Sequence, residues 1–178
     1  MKKLVTSIAI TLSLLGCASS SHKSIEPISD FVLSDYLGKW YEIARIDHGF
    51  QKNIVNGTAQ YRLREDGLVE VINQGFNENN KEWEKAIGVA KLKGESNIAH
   101  LRVSFFWPIY GDYKVFYLES DYSVALVTGS TSEYYWLLSR TPTLPREDIV
   151  RYMHIAKDAG IDVSKVIFTG KGMAKGSM

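Results

Sequence analysis

The chain has 178 residues, of which 45% are hydrophobic, 12% aromatic and 23% charged, and its formal net charge is +1. This is enough for one globular domain with a real core and argues against nucleic acid as a partner. A single cysteine excludes an internal disulfide, so the fold must stand on packing.

Met1–Gly16 opens with Lys2 and Lys3 and continues as an apolar run from Leu4 to Leu15. A positive start and a short apolar stretch read as a secretory leader, too short to span a bilayer. It ends Leu14-Leu15-Gly16-Cys17, which resembles the lipobox of bacterial lipoproteins. That resemblance implies cleavage before Cys17, an S-diacylglycerol on its sulfur and an N-palmitoyl chain on its amine. Ala18 follows, and the absence of Asp there points to the outer membrane. Acyl chains contribute about 0.8 kcal/mol per buried CH₂, so three would hold firmly. Without Lys2 and Lys3 the basic count falls from 21 to 19 against 20 acids. Residues 17–29 are polar and serine-rich and are expected to be a flexible tether.

Phe31–Tyr36 is predicted as a short turn, and a first strand follows over Lys39–Asp47. Gly38 supplies backbone freedom where that turn meets the strand. Asp47–Gly57 is predicted as loop. Ala59, Tyr61 and Leu63 alternate with Thr58, Gln60 and Arg62, the period of a half-buried strand. Asp66-Gly67 is a hairpin signal, and Leu68–Phe76 is the return. Glu82–Leu92 is a fourth strand, in which Gly88 is expected to mark a bend or bulge. Ile98–Phe105 places Ala99, Leu101, Val103 and Phe105 on one face, and Pro108–Gly111 is predicted to break the run. Tyr113–Glu119, Tyr122–Thr128 and Glu133–Arg140 complete eight strands at meander spacing.

Past Pro145 the period becomes helical, with Ile149, Tyr152, Met153 and Ala156 on one stripe and Gly160 as the stop. Lys165–Thr169 reads as a short last strand. Residues 30–170 are therefore expected to form one all-β domain with a C-terminal helix packed outside, and residues 171–178 a disordered tail. Strand runs joined by short turns fit an antiparallel up-and-down barrel or an open sandwich; periodicity alone does not separate them.

Three stretches in order decide between these. Gly38-Lys39-Trp40, Asp121-Tyr122 before a late strand, and Arg140 closing the next strand resemble the signature of the lipocalin family, across about Asp30 to Thr169. Trp40–Arg45, Val103–Phe106 and Leu138–Pro142 are similar to its bacterial lipid-anchored branch. The resemblance implies an eight-stranded antiparallel barrel in which Trp40 plugs the closed end under the Arg140 guanidinium. Gly38, Trp40, Asp121, Tyr122 and Arg140 are then structural. It also implies an apolar cavity for a fatty acid or lysophospholipid, held at the outer membrane facing the periplasm, with a role in envelope maintenance.

If Trp40 faces inward, alternation places Glu42 and Ala44 inside with it, and Glu42 is expected to bond neighbouring tyrosine hydroxyls. By the same alternation Tyr61, Leu101, Val103, Tyr113 and Trp136 are candidate cavity lining, although a slip of one residue would invert the set. Phe105-Phe106-Trp107-Pro108 is a dense aromatic patch that would line the mouth, touch membrane, pair two copies as a homodimer, or anchor a loop. The four histidines form no metal-binding cluster, and there is no phosphate loop or nucleophile elbow. No cofactor or metal is implied, and the chain reads as a binding protein rather than an enzyme. The rival readings are a structural lipoprotein that binds an envelope protein and a lipid hydrolase using Ser139 and His48.

Overall fold

The structure is a computed structural model describing residues 24–170. The leader, Cys17 and the expected tail lie outside the described residues. One helical turn, α1 (Leu33–Tyr36), precedes β1 (Gly38–Ile46). An antiparallel meander follows: β2 (Ile54–Leu63), β3 (Val69–Asn77), β4 (Glu82–Leu92), β5 (His100–Phe106), β6 (Ile109–Leu118), β7 (Val124–Thr128) and β8 (Tyr135–Ser139). Strand β1 pairs with β2 on one side and β8 on the other, which closes the sheet into the expected eight-stranded barrel. Helix α2 (Arg146–Asp158) and a short β9 (Val166–Phe168) complete the chain.

Closure puts one set of side chains inside and the other outside, giving two cores. The inner one includes Trp40, Tyr61, Val71, Leu101, Val115, Val127 and Leu138. The outer one lies beneath α2, where Ile149, Tyr152 and Ala156 meet Ile43, Leu126 and Leu137. Those helix residues are the stripe expected from the sequence, and the helix ends where the Gly160 N–H donates to the Lys157 carbonyl. Residues ahead of the barrel are fastened to it: Ile28 N–H donates to Val115, and Ile28 accepts from Ala99.

Several boundaries and one face differ from expectation. Strand β2 begins at Ile54, inside the stretch read as loop, because bulged pairing with β3 keeps the strand going past Asn56. Strand β6 begins at Ile109, inside the stretch read as a break; only Trp107 and Pro108 make the turn. Gly88 marks neither bend nor bulge. Its pairing with β3 is regular, and a Cβ there would lie 2.6 Å from the Ser104 carbonyl and 2.8 Å from the Phe105 ring. Glycine is needed for close approach. In β1 the register shifts between Glu42 and Ala44, so Ala44 packs outside under α2 and Arg45 turns inward instead. A bulge resets the alternation, and Arg45 becomes one of the largest fully buried side chains.

Candidate functional site

The closed end is built on Trp40. Its indole N–H donates to the Tyr36 carbonyl at 2.9 Å, and the Arg140 guanidinium lies 3.9 Å above the ring. Arg140 also donates to the carbonyls of Tyr122, Lys39 and Asp35, tying α1, β1 and the β6–β7 turn together. That turn is shaped by Asp121, which accepts from the Ser123 N–H, and by Tyr122 at φ 58°. Gly38 has φ +97°, a conformation that favours glycine, and a Cβ there would press on the Arg140 guanidinium at 3.3 Å. The five motif residues thus act together as the floor.

Above the floor three tyrosines share a hydroxyl chain. Tyr36 and Tyr113 are 2.7 Å apart, and Tyr61 donates to Tyr113 at 3.0 Å. Burial pushes the Tyr61 phenol up to about 12 and those of Tyr36 and Tyr113 well above their ordinary value, so all three stay neutral. Leu101, Val103 and Trp136 also face the interior. All five side chains read as lining by alternation therefore point inward.

Glu42 is buried, but its partners are not tyrosines. It accepts from Arg45 at 2.7 Å, Gln51 at 3.0 Å and Thr169 at 2.6 Å. Arg45 further donates to Asp47 and to the carbonyls of Ile54 and Gln51, while Trp136 donates to the Gln51 side chain. Beyond Tyr41 the pairing of β1 with β2 stops, and β9 takes the vacated edge of β1. Thr169, just past β9, bonds both Ile43 and Asn56 through its backbone. The network therefore fastens the first strand, the mouth loop and the last strand. Linear alternation could not reveal it, because Arg45 faces inward only through the bulge and Thr169 is 127 residues from Glu42.

At the mouth His48 stacks on Phe50 with ring centroids 3.9 Å apart and meets Trp136 edge-on at 5.2 Å. Neither ring nitrogen has a hydrogen-bond partner. Burial, assisted by Arg45, lowers its pKa from 6.5 to about 4, so the imidazole is neutral at pH 7. The unfolded chain then takes up a proton between about pH 6.5 and 4 that the folded chain refuses. Stability is therefore expected to fall as pH drops through that window. His48→Phe should flatten this part of a pH series of denaturation midpoints; an unchanged slope would place the dependence elsewhere.

Ser139 is buried at the closed end of β8, bonded to Thr141, whereas His48 follows the mouth end of β1. The two are at opposite ends of the barrel and form no dyad, and His48 makes no hydrogen bond to Asp47. One interior group went unnoticed in the sequence. Asn73 of β3 pairs with inward-facing Ala59 of β2, and its side-chain oxygen is buried without a partner. Its signal was an amide at an interior step of the Val69, Val71 alternation.

A closed antiparallel barrel with an indole–guanidinium floor and an apolar interior is a lipocalin, and the chain belongs to that family: the lipocalin-like domain matches residues 31–171. It is 44% identical to the outer membrane lipoprotein Blc of Vibrio cholerae, over 90% of this chain and 94% of that protein. It is 34% identical to mouse apolipoprotein D, over 79% and 77% of the two chains. The fold matches insecticyanin from the tobacco hornworm with a TM-score of 0.68, at 18% identity and 85% coverage of both chains. These relatives place the chain among the lipoproteins of the Gram-negative outer membrane. Lipocalins of this kind are binding proteins.

Proposed function

We infer that the chain binds a fatty acid or lysophospholipid in its barrel, acyl chain inward and head group toward the mouth. From acyl chains on Cys17, facing the periplasm, it stores or moves that lipid in envelope maintenance. The observation that carries this reading is the polarity of the interior along its axis. Apolar side chains fill the inner wall above a sealed floor, and the charged Glu42–Arg45 pair lies toward the mouth. An amphiphile matches such a gradient, each buried CH₂ contributing about 0.8 kcal/mol before ordering costs. The unpartnered Asn73 side-chain oxygen is an acceptor on the inner wall that a glycerol hydroxyl could donate to.

The test is native mass spectrometry of the chain from Ala18 onward, which retains every described element, with extraction and identification of bound lipid. One single-chain lipid per protein is expected, and it should be lost in Val103→Glu with the circular dichroism unchanged. A chain that is empty and refuses both lipid classes in titration would overturn the carrier reading in favour of a structural lipoprotein that binds an envelope protein.

A further inference from the structure

We propose that the β5–β6 hairpin is a membrane probe: its aromatic tip inserts into the interfacial layer of the bilayer that holds the anchor. The β4–β5 pairing stops at Val89 and Ser104, and the β6–β7 pairing stops at Lys114 and Thr128. From Phe105 to Tyr113 the hairpin therefore stands as a two-stranded ribbon without ladder partners on either outer edge. Its tip is Phe106, Trp107 and Ile109, each more than 70% exposed. Phe105 turns inward over Gly88, so the aromatic run read from the sequence divides, with one ring for the interior and two for the outside.

Aromatic side chains at a water-exposed tip cost free energy unless something covers them, and Trp favours the level of lipid head groups. Behind the tip the chemistry changes in the order a bilayer surface requires. Lys91 and the Arg102 guanidinium pack on the Tyr110 ring at 4.9 and 5.5 Å. Tyr110 is three residues behind Trp107, within roughly 10 Å along the chain, which puts these cations at phosphate depth when the tip is buried. Asp112, the acid nearest on that strand, is already paired with Lys93 and His100.

The anchor has the reach to allow this. The described chain begins at Ser24, and Ile25 accepts from Lys114 of β6. Lys114 to Ile109 along β6 is about 17 Å, and the seven residues from Cys17 to Ser24 span up to about 25 Å. Acyl chains on Cys17 and the tip can therefore enter the same leaflet. A narrow ribbon end is a poor half of a dimer interface, which needs about 800 Å² on each partner.

The inference rests on acylation of Cys17, verified first by the mass of the purified chain. The lipidated full chain is reconstituted in phosphatidylcholine–phosphatidylglycerol vesicles brominated in the acyl chains, and tryptophan quenching is read. Quenching is expected in the wild type and in Trp83→Phe, and its loss in Trp107→Phe identifies the inserted ring. In Phe106→Ser with Ile109→Ser, the quenching of Trp107 should fall although the anchor remains. Quenching absent throughout, or unchanged in Trp107→Phe, overturns the proposal. So does absent quenching together with a chain-to-chain crosslink from Trp107→Cys, which assigns the tip to a second copy. Lipid extracted from Trp107→Phe reads the carrier function separately, so either reading can fail while the other stands.

Discussion

Replacing Trp40 by alanine is expected to destabilise the fold by about 3–5 kcal/mol, the range for deleting a large buried aromatic side chain. The indole is fully buried, its N–H satisfied by Tyr36 and its face covered by both the Tyr36 ring and Arg140. Alanine would leave a cavity beneath the tyrosine chain and remove the surface on which the guanidinium rests. Against a typical total of about 5–15 kcal/mol this approaches unfolding, so Trp40→Phe is the informative companion. It keeps most of the volume, loses the N–H donor and weakens the cation–π contact, and should cost less than the alanine variant. Arg140→Lys keeps the charge but not the planar fork that reaches Tyr122, Lys39 and Asp35 together. Urea denaturation midpoints check the series. An Arg140→Lys variant as stable as the wild type would show that charge alone secures the floor.

Glu42→Ala should be nearly as damaging, at about 3 kcal/mol or more, because it leaves a buried guanidinium short of its closest counter-charge. Arg45 is 1% exposed, and its other carboxylate partner, Asp47, is largely solvated. The same change removes the acceptor for Gln51 and Thr169. The loss should therefore be visible locally as well as globally: amide protection at β9 and in the 47–53 loop should fall before that of β7. A double-mutant cycle with Arg45→Met separates the pair from its surroundings. The double variant is expected to cost less than the sum of the singles, since an absent pair leaves no unpaired charge. Additive costs would mean that Glu42 acts only through Gln51 and Thr169.

Much of the barrel was legible in the chain because its determinants are local. The Ala59–Tyr61 and Leu101–Val103 alternations, the Asp66-Gly67 hairpin and the change to helical period after Pro145 each depend on residues a few positions apart. The floor was legible for another reason: Trp40, the Asp121-Tyr122 turn and Arg140 form a pattern shared across the lipocalins. What stayed hidden depended on register. A one-residue bulge between Glu42 and Ala44 exchanges Ala44 for Arg45 on the inner face, and no short-range pattern encodes where a ladder slips.

Composition, period and turn chemistry thus determined by themselves that this chain forms strands, how many, and a helix after them. Only the tertiary structure decided that the first strand parts from the second beyond Tyr41, that β9 fills that edge, and that Glu42 and Arg45 close the join with Thr169. It also decided that β5 and β6 run on past the ladders of their neighbours as an aromatic-tipped ribbon. The physical reason is common to all of these. Alternation dictates that a side chain faces in or out, but which groups meet there depends on closure, and closure brings together residues from opposite ends of the chain.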